Sequence, residues 1–259
     1  MSISRHRDEP SIQVRSFGVT FGSGQKAPPR QIVPPSAGEW HQLVYATRGV
    51  MTVRTDRCAW LVPPHRGLWV PAGHRYRVEM TGTVAIRMLY IRPGRSAAFA
   101  SSLADCTVVN VGPLLRELIV RTCLLGALDA RIAEQRRLIG VLFDELRTLT
   151  AVPLQLPLPR DRRAAHLAGI ADADALPLAE MLRRSGASRR TMERIFKEET
   201  AMPLGRWLRR RKVLEGLRRL VSGDSVSAVA LDLGYNSASA FISMFRRELG
   251  TTPRRYLEW

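Results

Sequence analysis

The last third of the chain contains one segment twice, and an internal duplication restricts the fold more than any compositional figure does. Shifting the sequence by 49 positions (237 minus 188) superimposes SRRTMERIFKEETAMPLGRWL, from Ser188, on SASAFISMFRRELGTTPRRYL, from Ser237. Ser188 falls on Ser237, Phe196 on Phe245, Lys197 on Arg246, Glu199 on Glu248, Trp207 on Tyr256 and Leu208 on Leu257. Two copies of one supersecondary unit are therefore expected.

Each copy reads as a short helix, a tight turn and a second helix. In the first, LAEMLRRS runs to Gly186, where glycine accepts a left-handed turn cheaply, and Ser188 then caps the next helix by accepting from its free amides. Met192, Ile195, Phe196 and Glu199 fall at i, i+3, i+4 and i+7, so the apolar members face inward and leave Arg189, Arg190, Glu193, Arg194 and Lys197 outside. The second copy repeats the plan with VSAVALDL, a break at Gly234 and Ser237 as cap. Phe241, Met244 and Phe245 point inward there, and Ala238, Ser239, Ile242, Ser243 and Arg246 stay available to a partner.

A helix-turn-helix whose second helix offers Arg and small polar groups suits the major groove of duplex DNA, where Arg binds guanine O6 and N7 bidentately. Between the copies, residues 203–221 read as one helix of 19 residues. At about 1.5 Å per residue it spans roughly 28 Å, close to the ~34 Å between successive major grooves on one DNA face. Arg206, Arg209, Arg210, Arg211 and Lys212 are too dense for one helix face, so some must meet phosphates or acidic groups. The second reading helix has no Arg before Arg246, so the first is expected to supply most direct readout, with the second adding contacts to thymine methyls and to groove shape.

Charge agrees with a polyanionic partner. The 259 residues carry 40 Lys and Arg against 23 Asp and Glu, a formal charge of +17. Hydrophobic residues make up 45% and charged ones 24%, which excludes a disordered, collagen-like or fibrous chain. No stretch approaches the ~20 apolar residues that cross a bilayer, and MSISRHRDEP has no apolar signal core, so a chain that is neither secreted nor anchored is expected. Cys58, Cys106 and Cys123 lack CxxC spacing and read as small hydrophobes in a reducing compartment.

The N-terminal part is of another kind. Residues 1–95 hold short β-type runs divided by Gly and Pro, namely HQLVYATRG (41–49), VMTVRT (50–55), GLWV (67–70) and VAIRMLYI (84–91). In the last run Val84, Ile86, Met88 and Tyr90 alternate with Ala85, Arg87 and Leu89, giving at least one apolar face. These runs predict an antiparallel β-barrel. From about 111 the period becomes 3.6: Pro113 opens one helix, and a second near 129–149 carries Ile132, Ile139, Leu142, Phe143, Leu146 and Leu149 on one stripe. That stripe either covers the barrel or meets a second subunit. Pro153, Pro157 and Pro159 forbid a continuous helix over 151–161, a semi-rigid linker. The expected organisation is a two-domain α+β chain: a barrel over 1–95, a helical dimerisation segment over 96–150, the linker, and an all-α double helix-turn-helix domain over 162–259.

The segment from about 177 to 257, with LGYNSASAFISMFRRELGTTPRRY as its most diagnostic stretch, resembles the DNA-binding domain of AraC/XylS transcription regulators. Upstream, WLVPPHRGLWVPAG (60–73), DELRTL and LPLPRD resemble the branch with an N-terminal cupin barrel. The resemblance implies a cytoplasmic, usually dimeric regulator, activator or repressor, acting at a promoter or operator, with RNA polymerase a further partner to consider. It carries base contacts over to Arg190, Glu193, Arg194, Ala238, Ser239, Ile242 and Ser243. The cations Arg189, Lys197, Arg209, Arg210 and Arg246 are expected on phosphates. Met181 and Gly216 stand where the family has alanine and Lys212 where it has arginine, which suggests looser packing at the spacer helix.

Cupin-type metal binding needs an H-x-H pair, but SAGEWH places Ser36 and Gly38 there, and Tyr76 replaces a later histidine. No metal, cofactor or catalytic residue is expected. A barrel beside a DNA reader suits a small-molecule effector, with His41, Tyr45, Trp69, Tyr76 and Arg87 as candidate lining. Two other readings are a cupin isomerase or oxygenase fused to a DNA-binding module, and a constitutive DNA binder with a structural barrel. Membrane-surface binding by the basic helices ranks last, because their apolar faces are needed inside the helix-turn-helix cores.

Overall fold

The computed structural model describes residues 11–21, 39–94, 103–173 and 176–257. They form two compact units: residues up to Thr52 with Val62–Val152, and Val53–Leu61 with Pro153 onward.

In the first unit the strands are β1 (Ile12–Phe21), β2 (His41–Arg54), β3 (Cys58–Val62), β4 (Arg66–Val70), β5 (Arg77–Ile91), β6 (Thr107–Asn110) and β7 (Ala127–Asp129), of which β3 lies almost wholly in the second unit. Their order is β6-β4-β2-β5-β1-β7, and every pairing with a resolved register is antiparallel. Among the described residues this path is open at both ends, so the antiparallel, cupin-like sheet predicted from the sequence is present without closing into a barrel. The runs 41–49 and 50–55 form one strand, because the intervening Gly49 bends a strand without ending its pairing.

Helices α1 (Pro113–Leu125) and α2 (Ala133–Arg147) follow, α1 opening on Pro113 as expected. Ile139, Leu142, Phe143 and Leu146 of the α2 stripe are buried in one cluster with Leu115 and Ile119 of α1 and with Leu43, Tyr45, Trp69 and Leu89 of the sheet. The stripe thus covers the sheet. At about 25 cal/mol per Å2 of apolar surface, burying such side chains stabilises by roughly 1.5–3 kcal/mol each.

The second unit begins with the segment expected as a linker, and it contains strand β8 (Gln155–Pro157). Its antiparallel partner is β3, with Cys58 opposite Pro157, Ala59 opposite Leu156 and Trp60 opposite Gln155. Prolines exclude a helix there but tolerate an edge strand, which is why the sequence signal read only as an interruption. The helices are α3 (Arg162–Ala173), α4 (Leu178–Ser185), α5 (Arg189–Thr200), α6 (Leu204–Val221), α7 (Val226–Asp232), α8 (Ala238–Leu249) and α9 (Pro253–Leu257).

The duplication is visible as geometry. Ser188 accepts from the Thr191 amide and Ser237 from the Ala240 amide, both at 3.2 Å, so the repeated serines cap α5 and α8 alike. Phe196 meets Trp207 edge-on at 5.1 Å between centroids, and Phe245 meets Tyr256 edge-on at 5.9 Å. Packing at the spacer α6 is not loose. A Cβ on Gly216 would stand 2.8 Å from the Phe241 ring, Met181 is buried, and Lys212 donates to the Leu233 carbonyl at 2.8 Å.

Candidate nucleic-acid interface and effector face

Outward-facing residues of α5 and α8 define the candidate interface. Arg190 and Arg194 are exposed on α5, Ser239 and Ser243 are exposed on α8, and Ala238 and Ile242 are half-buried beside them. Arg194 pairs with Glu198 at 2.8 Å one turn along. An exposed pair of this kind contributes only about 0.3–0.5 kcal/mol, so little holds the guanidinium in it. Arg189, Lys197, Arg209 and Arg246 are exposed as well.

Two sequence assignments change. Arg210 is 6% exposed, and its guanidinium donates to the carbonyls of Gln155 and Pro153, so it is not available to a phosphate. Four basic residues in a row, 209–212, must wrap around the helix, and only the structure reveals which one turns inward. Glu193 accepts from the Leu204 amide at 3.1 Å and stands 4.0 Å from Arg189, so it caps the start of α6 instead of facing a base. The repeated Glu199 and Glu248 are likewise engaged within the domain, Glu199 on the amides of Arg160 and Asp161, and Glu248 4.0 Å from Arg210.

Between the two helix-turn-helix units lies a cleft of about 570 Å3. Arg209 and Ser243, read from the sequence, line it with Arg211 and Lys212 of the same basic run, together with Tyr235 and Arg247, which sequence reasoning missed.

Strand pleating divides the effector candidates. Successive side chains point to opposite faces of a sheet. Tyr45 and Trp69 belong to the cluster under α1 and α2, and Arg116 hydrogen-bonds the Tyr45 hydroxyl. His41 stacks on Trp69 at 5.3 Å, and Trp69 Nε1 donates to the Leu103 carbonyl. Arg87 lies across Gly18 of β1 and donates to the Ile86 carbonyl. Only Tyr76 is on the other face, where its hydroxyl hydrogen-bonds Gln42. Tyr90 and Cys106 adjoin it, and burial pushes the Tyr90 phenol well above its ordinary range and the Cys106 thiol up to about 11. Gln42, Tyr90 and Cys106 are buried and Tyr76 is half-buried, an uncharged set of two phenols, an amide and a thiol. Tyr90 was missed because β5 is apolar on both faces over 84–91, Cys106 because it precedes β6 and has no strand phase, and Gln42 because its polar side chain was not read against Leu43 and Tyr45. Among the described residues no three His, Cys, Asp or Glu side chains group as a metal site, while Ser36 and Gly38 of the H-x-H comparison lie outside the described residues. No helix among the described residues is long and apolar enough to cross a membrane.

A duplicated helix-turn-helix domain joined to an antiparallel sheet domain defines a two-domain regulator of transcription. Residues 24–146 match the AraC-like ligand binding domain, and residues 181–258 match a helix-turn-helix domain. The chain is 31% identical over 219 residues to the HTH-type transcriptional regulator NimR of Escherichia coli, covering 83% of this chain and 79% of that protein. It is 35% identical over 75 residues to the regulatory protein SoxS of Salmonella typhimurium, 29% of this chain and 70% of that one. Among solved structures, the DNA-binding domain of AdpA in complex with a target DNA is 32% identical, covering 38% of this chain and 90% of that chain, with a TM-score of 0.34. The chain belongs to the AraC/XylS family of transcription regulators, with an N-terminal ligand-binding domain and a C-terminal DNA-binding domain.

Proposed function

We propose that α5 and α8 enter successive major grooves of an operator, with α6 as the spacer, and that a small molecule bound on the sheet domain controls this reading. The carrying observation is the repeated pair of 12-residue helices, each capped by serine, each packed inward through an edge-on aromatic pair and each leaving its outer side to a partner. The 18 residues of α6 span about 27 Å at roughly 1.5 Å per residue, against ~34 Å between grooves. Arg190, Arg194, Ser239 and Ser243 are assigned to base edges, and Ala238 and Ile242 to apolar contact. Arg189, Lys197, Arg209 and Arg246 are assigned to phosphates.

The effector is assigned to the uncharged set Gln42, Tyr76, Tyr90 and Cys106, which favours a neutral, hydrogen-bonding molecule. A homodimer is supported by Leu114, Leu124, Leu125, Ile132 and Val141, which are large apolar residues exposed in the segment from α1 to α2, Leu124 at 76%. RNA polymerase is a further partner of a regulator so built, the cytoplasm its compartment, and the chain has no enzymatic role.

Footprinting on the DNA beside the gene tests the reading, with two protected major grooves per chain expected. Arg194→Ala should cost about 1–3 kcal/mol at the preferred site while barely changing binding to random DNA, whereas Lys197→Ala should weaken both alike. Protection of a single groove would overturn the assignment. Leu124→Glu should shift the chain toward monomer in sedimentation.

A further inference from the structure

The cleft inside the DNA-binding domain has two kinds of wall. Met181 of α4, Leu208 of α6, Leu233 after α7 and Met244 of α8 make an apolar floor, and Arg209, Arg211, Lys212 and Arg247 contribute cations. No carboxylate is among the lining residues. The volume of about 570 Å3 falls within the range of roughly 300–1,000 Å3 typical of small-molecule sites.

The cations are held against apolar surface. Lys212 Nζ donates to the Leu233 carbonyl at 2.8 Å and sits 5.5 Å from the centre of the Tyr235 ring. Burial pulls its pKa down, and Arg211 adds repulsion in the same direction. Burial raises the Tyr235 phenol, Arg209 and Arg247 pull it back and Glu248, outside the lining, raises it again, which places both guanidinia within electrostatic reach of that ring. Arg211 and Lys212, half-buried over this floor, are screened less than the exposed Arg209 and Arg247 at the rim, and a bound anion relieves the repulsion among them.

We propose that this cleft binds a small organic anion with an apolar body, and that ligand and DNA exclude each other there. A ribose-phosphate backbone can use the cationic rim but has nothing to place against Met181, Leu233 and Met244, whereas an amphipathic anion uses rim and floor together. Exclusion follows because Arg209 and Ser243 line the cleft and are also assigned to DNA. That clause rests on the DNA-reading assignment above, while the binding of the anion does not. Linkage then requires the anion to weaken DNA binding by the factor by which DNA weakens the anion.

The test titrates the full chain with anilinonaphthalene sulfonate and with phenylnaphthylamine, its uncharged counterpart, following fluorescence. The sulfonate should bind, the neutral probe should bind far more weakly, and duplex DNA should displace the sulfonate. Arg209→Ala with Arg247→Ala, and separately Ser243→Glu, should weaken the sulfonate by roughly tenfold or more, since a charge-assisted contact is lost or opposed. These positions are exposed, so the thermal midpoint should hold, and agreement between two unrelated variants separates loss of the site from loss of the fold. Unchanged sulfonate binding in both variants, equal binding of the two probes, or sulfonate that persists at saturating DNA overturns the proposal. A chain that binds the sulfonate but no DNA overturns the DNA assignment and the exclusion with it, and one that binds DNA but no sulfonate overturns the ligand site alone.

Discussion

The guanidinium Nε of Arg210 lies 2.7 Å from the carbonyl oxygen of Gln155, joining the spacer helix α6 to strand β8 within the second unit. The same side chain donates through Nη2 to Pro153 at 2.8 Å, and one turn earlier Trp207 Nε1 donates to Pro157 at 2.7 Å. Two residues three apart share a helix face, so α6 grips the segment 153–157 along one side. Burial lowers the Arg210 pKa and Glu248 offsets it, which keeps the group a cation with a role inside the fold.

Replacing Arg210 by Met should therefore act on stability and not on DNA contact. The carbonyls of Gln155 and Pro153 lose a donor that water replaces in part, since both residues are exposed, so each contact should be worth about 0.5–1.5 kcal/mol, and denaturant unfolding should show a loss of about that size for the pair. The salt dependence of DNA binding should match the wild type, whereas Arg209→Ala should reduce its slope by about one. A slope reduced equally by both changes would return Arg210 to the phosphate contacts.

Gly216 is needed for the approach of α6 to α8. An added methyl would stand 2.8 Å from two carbons of the Phe241 ring and 3.2 Å from Leu233. Alanine gains up to about 1 kcal/mol of helix propensity over glycine, while overpacking a closed contact costs about 1–3 kcal/mol. Gly216→Ala should therefore destabilise on balance, and its footprint should fade in the groove assigned to α8 before the one assigned to α5. Net stabilisation with an intact footprint would mean that the ring moves freely.

The repeat also exposes a strained residue. Ala201 ends α5 at φ 55°, and 49 positions later Gly250 ends α8 at φ 77°. A left-handed conformation costs a residue with a Cβ about 1–2 kcal/mol and costs glycine almost nothing. Ala201→Gly should raise the thermal stability of the domain by up to about 1 kcal/mol, and Gly250→Ala should lower it by a similar amount. A loss on Ala201→Gly would show that chain entropy outweighs strain at that cap.

What the sequence disclosed depended on whether a local pattern carried the information. The repeat was readable because serine caps, inward aromatics and turn glycines each act within a few residues, and Ser188, Phe196 and Phe245 stand where the periodicity of 3.6 placed them. The roles of Arg210 and Glu193 were not readable, since each depends on a carbonyl or amide brought close by tertiary packing, 55 and 11 positions away. The sheet showed the same limit. Tyr45 and Trp69 are buried aromatics in apolar strands, and nothing local tells which face the helices will cover, whereas Gln42, a buried amide ahead of the apolar run Leu43–Ala46, was the available cue to the other face. Strand β8 was hidden by its prolines and by a partner, β3, far away in sequence.

His41 gives the first unit a pH dependence of definite sign. Its Nδ1 accepts from the Ala72 amide at 3.0 Å, which requires an unprotonated nitrogen, and burial pulls the imidazole below its usual value of 6.5. The folded chain then binds fewer protons than the unfolded chain wherever the pH lies between the two values. The contribution is complete above about 6.5 and is lost as the pH falls toward the lowered folded value. His65 is shifted the same way by burial and by Arg116 and Arg66, so it adds to the slope. Unfolding midpoints measured between about pH 7.5 and about pH 5 should fall on acidification. His41→Asn retains an acceptor for Ala72 but does not titrate there, so it should remove part of that fall, and adding His65→Asn should remove more. A fall of the same size in the His41→Asn chain would show that the Ala72 contact does not hold the imidazole neutral.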